Sequence, residues 1–184
     1  IKNGAYVQLI NRDLELGQRD SFTVENGAVF DFNFNGTTPL VIKTSGTQTA
    51  MVFRSLQGST LKITSPDGLY EHWDRAAYTA AGVTVNTGNL QGVVRSNRSI
   101  SPIATFWYVG KTNQKTGDAP NANLSSSADG KVVICDLASN SISLTPTVSF
   151  GVSNSTVVSS TGGKLDIRKG QFIETETEYI FGSN

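Results

Sequence analysis

The chain has 184 residues, 15 basic and 15 acidic, for a formal net charge of zero. Charged residues make up 16%, below the ~25% of ordinary globular domains; with no basic stripe there is little support for tracking nucleic acid. No apolar run approaches the ~20 residues that span a bilayer, no polybasic or amphipathic anchor is visible, and the length suits a single β domain, residues 1–184, with a real core. Ser, Thr, Asn and Gly replace the missing charges, and they favour turns and solvated strands over helices. The chain opens on Ile1, which reads as a processed product or an excised fragment. A lone cysteine, Cys135, rules out an internal disulfide framework.

Taken in order, the first strand expected is Ala5–Ile10, which could also be exchanged between subunits. Next, Ala28 to Phe34 alternates with period two, Phe30, Phe32 and Phe34 on one face and Asp31 and Asn33 on the other. Asn35-Gly36 then separates it from Leu40-Val41-Ile42, a hairpin signal because both turn residues favour positive φ. A strand over Ala50–Arg54 precedes a second hairpin, Leu61–Thr64, turn Ser65-Pro66-Asp67-Gly68, and Leu69–Trp73. A rival reading caps a helix at Ser65 and runs it to Gly82, and a short helix over 73–81 is compatible with either.

Further strands are expected at Val83–Val85, Thr105–Val109, Val132–Leu137, Ser141–Leu144, Val148–Val152 and Glu176–Phe181. A third hairpin, Lys164–Ile167 and Gln171–Glu174 around Arg168-Lys169-Gly170, would set Leu165 opposite Ile173 and Lys164 opposite Glu174. No internal repeat of 20–50 residues stands out. About a dozen short strands predict an all-β fold, an antiparallel β-sandwich or jelly roll with at most one short helix. Lys111 to Gly130 breaks the rhythm, and so long a polar loop on a β scaffold is the leading candidate binding feature.

Several motifs reduce to strand and turn chemistry. Asp31-Phe32-Asn33-Phe34-Asn35-Gly36 matches half a calcium loop, but the twelfth position is Ile42 and not a carboxylate. Gly110-Lys111-Thr112 resembles the end of a phosphate loop whose first Gly is replaced by Thr105. His72 is the sole histidine, so no multi-histidine metal site is available, and no nucleophile elbow accompanies it. Glu174, Glu176 and Glu178 share one strand face, as a cation or acid pair would, or as a charged edge that blocks pairing. Trp73, Tyr78, Trp107 and Tyr108 read as a sugar-stacking platform or as core and interface residues. Cys135, in an apolar strand, reads as a buried thiol, and Asn35, Asn97, Asn123 and Asn154 begin glycosylation sequons.

The run Ala76 to Gly92, with the Ser/Thr-rich strands of the C-terminal half, resembles in texture the tip or knob domains of bacteriophage tail fibres and tail needles. Bacterial fimbrial subunits are similar in composition. The resemblance implies a trimeric, non-enzymatic domain on a virion surface or otherwise extracellular, whose loops contact a host-surface glycan or protein. The ligand-binding residues expected are Trp73, Tyr78, Lys111, Asn113, Asp118, Asn121 and Asn123, with no cofactor, catalytic residue or metal ligand. The alternatives are a purely structural virion or fimbrial subunit, and a carbohydrate-active enzyme.

Overall fold

The computed structural model describes residues 1–17, 19–44, 52–69, 88–91, 98–100, 104–115, 132–143, 157–158, 164–173 and 180–181. Among these the chain is β throughout, with no helix, as the sequence predicts. Its strands wind through three ladders in turn. The first coil holds Ile1, β1 (Tyr6–Gln8) and β2 (Leu14–Leu16). The second holds β3 (Ser21–Val24), β4 (Val29–Asp31), a small hairpin of β5 (Phe34–Asn35) and β6 (Thr38–Pro39), then β7 (Ile42–Thr44). The third holds β8 (Val52–Ser55), β9 (Thr60–Ile63) and an isolated bridge at Leu90. Then come β10 (Arg98–Ile100), β11 (Thr105–Tyr108), β12 (Gln114–Lys115), β13 (Val132–Ser143), β14 (Val157–Val158), β15 (Lys164–Ile173) and β16 (Ile180–Phe181).

Each strand pairs with its counterpart one coil away. The longest ladder runs β1-β4-β9-β11-β13, and β15 joins β13. A second ladder is β3-β8-β10, and a third is β2-β7, extended by the bridge from Ile42 to Leu90. Every pairing of described strands is parallel except β5 with β6. Parallel neighbours met in cyclic order describe a stack of coils, a β-solenoid, and the antiparallel pairing expected of a sandwich is therefore corrected. The third expected hairpin does not form. Lys164 to Ile173 is one strand with Gly170 at φ 82°, and Leu165 lies beside Val133 instead of Ile173. A glycine read as a turn residue here bends a continuous strand.

The repeat is real but irregular. Register partners lie 23 residues apart from Tyr6 to Val29, 31 from Val29 to Thr60 and 45 from Thr60 to Thr105. Its marker is the corner before the long ladder. There Asn3-Gly4-Ala5, Asn26-Gly27-Ala28 and Gln57-Gly58-Ser59 form the same turn, closed by bonds from Ala5 N to Lys2 O (3.0 Å), Ala28 N to Glu25 O (3.0 Å) and Ser59 N to Leu56 O (3.1 Å). Gly4, Gly27 and Gly58 have φ of 76°, 71° and 71°, a region that L side chains avoid. Asn3 lies over Gly27, and Asn26 over Gly58, so tightly that a Cβ at either glycine would strike the asparagine Oδ1.

Inward positions of successive coils stack into the core. Phe30, Leu61 and Phe106 occupy one line, and Ile63, Tyr108 and Cys135 the next, all buried. Phe22 and Phe53, register partners on the second ladder, stack with centroids 5.7 Å apart and planes 9° apart. Phe22 also meets Phe30 edge-on at 4.9 Å, joining two faces of the coil. Such aromatic contacts contribute ~0.5–1.5 kcal/mol beyond simple burial. The expected Phe30/Phe32/Phe34 face is kept for Phe30 and Phe32, while Phe34 turns outward into the hairpin, where it is half-buried.

Candidate functional site

The corners of the coil differ in length. Between the second ladder and the long one, the described connections are residues 25–28 and 56–59, four each time. Between the long ladder and the third, they are residues 9–13, 32–41 and 64–89 in the first three coils. Insertions in a repeat architecture collect on one side, and that side is often the binding side. Here the variable corner carries, among the described residues, the hairpin, the turn at 65–68 and the turn at 109–113.

Local chemistry holds these pieces in place. Asn33 takes φ 52°, and its backbone N–H donates to Asp31 Oδ1 (2.9 Å), which turns the chain out of the ladder. Gly36 at φ 67° closes a small hairpin, but its two turn residues are Gly36 and Thr37, since Asn35 pairs with Thr38 in the ladder; the expected Asn35-Gly36 turn with return pairing on Leu40–Ile42 does not form, because β4 and β7 pair in parallel with other coils. The Ser65–Gly68 turn is also present, with Gly68 N donating to Ser65 O (3.0 Å). The rival helix does not start at Ser65, where the chain makes this turn, while residues 70–73 of the expected return strand and the short helix over 73–81 lie outside the described residues. Asn89 is fully buried. Its Oδ1 accepts from Thr64 N (2.9 Å) and Ser65 N (3.0 Å), and its Nδ2 donates to Leu40 O (2.8 Å) and Thr64 Oγ1 (3.0 Å). One amide thus fastens the base of the insertion to the coil before it.

Two of the expected ligand residues fall at this corner. Lys111 and Asn113 are exposed on a turn anchored by buried Gln114, which accepts from Gly110 N (2.7 Å) and donates to Ser65 O (2.8 Å) and Ile63 O (3.3 Å). Lys111 reaches across to the hairpin, donating to Gly36 O (2.5 Å) with its ammonium 4.7 Å from the Phe34 ring centre. Trp73, Tyr78, Asp118, Asn121 and Asn123 lie outside the described residues, as do His72 and Glu174, Glu176 and Glu178. Tyr108 is wholly buried in the core and takes no part in a surface platform. Burial lifts its phenol well above the ordinary pKa.

On the other side of the hairpin lies an open groove of about 740 Å³, lined by Asn11, Arg12, Asp13, Glu15, Asn35 and Lys43 among others. Asp13 is committed on both oxygens, Oδ1 accepting from Val41 N (3.1 Å) and Oδ2 from Lys43 Nζ (3.2 Å). Two cations and two carboxylates line the groove, so its charges balance. The groove escapes a reading along the chain because its walls come from two coils that only parallel stacking brings together.

A second outward feature crosses the long ladder. Asp31 accepts from the Tyr6 hydroxyl, from Gln8 Nε2 (3.2 Å) and from Lys62 Nζ (2.9 Å). Lys62 lies 5.1 Å from the Trp107 ring centre, and Arg168 lies 4.7 Å from the same ring. Burial would lower the Lys62 pKa, but its bond to Asp31 and the charge of that carboxylate outweigh this and raise it. Burial, then the Asp31 bond, raises Tyr6. Trp107 Nε1 is buried with no hydrogen-bond partner among the described residues. This strip is closed on itself, cation to carboxylate and cation to ring, and reads as a clasp across coils. The half calcium-loop motif is accounted for here, since the Asp31 carboxylate serves the ladder and the Asn33 turn.

No family model, curated protein or solved structure matches this chain.

Proposed function

We propose that the chain is a non-enzymatic attachment domain, of a virion or cell surface, that holds a hydroxyl-rich host-surface glycan at the variable corner of its solenoid. The observation that carries this reading is the polar, charge-balanced groove beside the hairpin, on the side of the coil where connections differ most in length. Loops on a rigid scaffold are where recognition is usually placed. Paired donors and acceptors such as Asn11, Arg12, Glu15 and Asn35 suit a neutral polyol, and the absence of net charge suits it better than a polyanion. Asp13, tied to Val41 N and Lys43, serves the groove wall and is poorly placed as a general acid.

Glycan-array binding by the whole chain tests the reading. Arg12→Ala and Glu15→Ala, both exposed, should each weaken binding ~10-fold, as loss of one charged hydrogen bond does, with melting unchanged. Affinity should vary little between low and high salt, because the groove is neutral. Retention of full binding by the double variant would refute the site.

A further inference from the structure

Three Asn-Gly pairs occur in the chain, Asn3-Gly4, Asn26-Gly27 and Asn35-Gly36. An asparagine before glycine can lose its own amide, because no Cβ shields the next backbone nitrogen from the side-chain carbonyl carbon. All three asparagines are exposed, so access to water does not separate them. Their surroundings do. Asn3 lies tightly over Gly27, and Asn26 over Gly58, each pinned against the next coil. The Gly27 N–H, which would have to react in the second pair, donates to Gly58 O (3.1 Å). Asn35 lines the open groove instead. Among the described residues neither its side chain nor the Gly36 N–H makes a hydrogen bond. The hairpin that carries it has arms of two residues that pair with each other, and its tip is tied by the Lys111 bond to Gly36 O. So short a hairpin is marginal by itself and opens without disturbing the stack beneath. Opening gives Asn35 the backbone rotation that ring closure needs.

We propose that Asn35 is a self-modifying site in the wall of the groove. The Gly36 nitrogen gives up its proton to solvent base and attacks Asn35 Cγ. A nitrogen–carbon bond forms, the Cγ–Nδ2 bond breaks, and Nδ2 leaves with a proton as ammonia. Water then opens the five-membered imide at one of its two carbonyls. One opening restores the backbone amide and leaves an aspartate side chain. The other routes the backbone through the side chain and lengthens it by one methylene at the hairpin. Either way a neutral amide becomes a carboxylate. The groove, balanced by Arg12 and Lys43 against Asp13 and Glu15, then carries one excess negative charge. The chemistry at Asn35 stands on the hairpin alone, whereas its effect on glycan binding rests on the groove reading above.

Peptide mapping by mass spectrometry, on the full chain kept at mildly alkaline pH without denaturant, tests this. Asn35 should convert at least ~10-fold faster than Asn3 or Asn26, since it needs only the hairpin to open. In concentrated urea the three pairs, each an asparagine before glycine, should converge on one rate. Lys111→Ala, which unties the tip, should speed conversion at Asn35 ~3-fold and leave the other two unchanged. Equal rates for the three pairs in the folded chain, or no conversion at Asn35, would overturn the proposal. Glycan binding reads the consequence separately. The converted chain should bind more weakly, and Asn35→Asp should show the same direction of change at once. Conversion confined to Asn35 with binding unaltered would uphold the reactive site and count against the groove as the glycan site, so the two failures are distinguishable.

Discussion

Replacing Asn89 with alanine should be among the most damaging single changes at this corner. The side chain is fully buried and makes four hydrogen bonds, to Thr64 N, Ser65 N, Leu40 O and Thr64 Oγ1. Alanine would strand two backbone donors and one carbonyl away from water. Each buried group left without a partner costs ~1–3 kcal/mol, and some relaxation is expected, so a loss of about 3–5 kcal/mol follows. That is a large part of the ~5–15 kcal/mol total of a typical domain. At this length each kcal/mol moves the melting point ~2–4 °C, so the midpoint should fall by about 10 °C. Urea unfolding followed by circular dichroism measures the loss directly, and an unchanged slope would show that the unfolded state is unaltered. A loss below ~1 kcal/mol would refute the reasoning, because it would mean that water takes over the amide's partners and the corner is not sealed.

Gly58→Ala should cost about 1–2 kcal/mol, from its φ of 71° and the collision with Asn26, whereas Gly4→Ala should cost about 1 kcal/mol from conformation alone; equal urea midpoints for the two would deny the asparagine-on-glycine contact. Tyr6, Lys62 and Tyr108 all have pKa values raised in the fold. Their contribution is therefore complete below the unfolded values near ~10 and is lost as pH climbs through the folded ones. Stability should hold to about pH 9 and fall above ~10, with Tyr108→Phe removing much of the decline; an identical alkaline profile for that variant would show the buried phenol is not its source. Arg168→Ala should cost ~0.5–1 kcal/mol in the native chain and nothing in a Trp107→Ala background. A double-mutant cycle with zero coupling would dissolve that end of the clasp.

Strands β2, β3, β6, β10, β12 and β14 escaped the reading, but the longer alternating strands were legible, since period-two alternation reports only that one face is buried. Their pairing was not. Gly36-Thr37 and Ser65–Gly68 are turns, and nothing local says whether the chain returns antiparallel or moves on to another coil. Lys164–Ile173 shows the failure at its clearest, because the apparent match of Leu165 with Ile173 across a hairpin was self-consistent and still wrong. The signal that separates the two architectures is the repeated [Asn/Gln]-Gly-[Ala/Ser] corner at residues 3–5, 26–28 and 57–59. It is hidden by insertions that make the spacing uneven. Lys111 and Asn113, singled out from loop polarity, lie at the same corner as the groove, while Arg12 and Glu15 drew no attention because a five-residue connection gives no sign of facing a hairpin from the next coil.

The unequal corners have a consequence for how such a chain can change. Closing a loop costs free energy that grows with the logarithm of its length, so doubling a connection adds only ~0.6 kcal/mol. The four-residue corner cannot use that freedom, because its asparagine and glycine must meet the coils on either side. The hairpin at Phe34–Pro39 can, since its arms pair only with each other. Segments spliced in at Gly36 and Thr37 would therefore alter what the surface displays while leaving the stack beneath them intact. The molecule divides into a part that keeps step and a part free to drift.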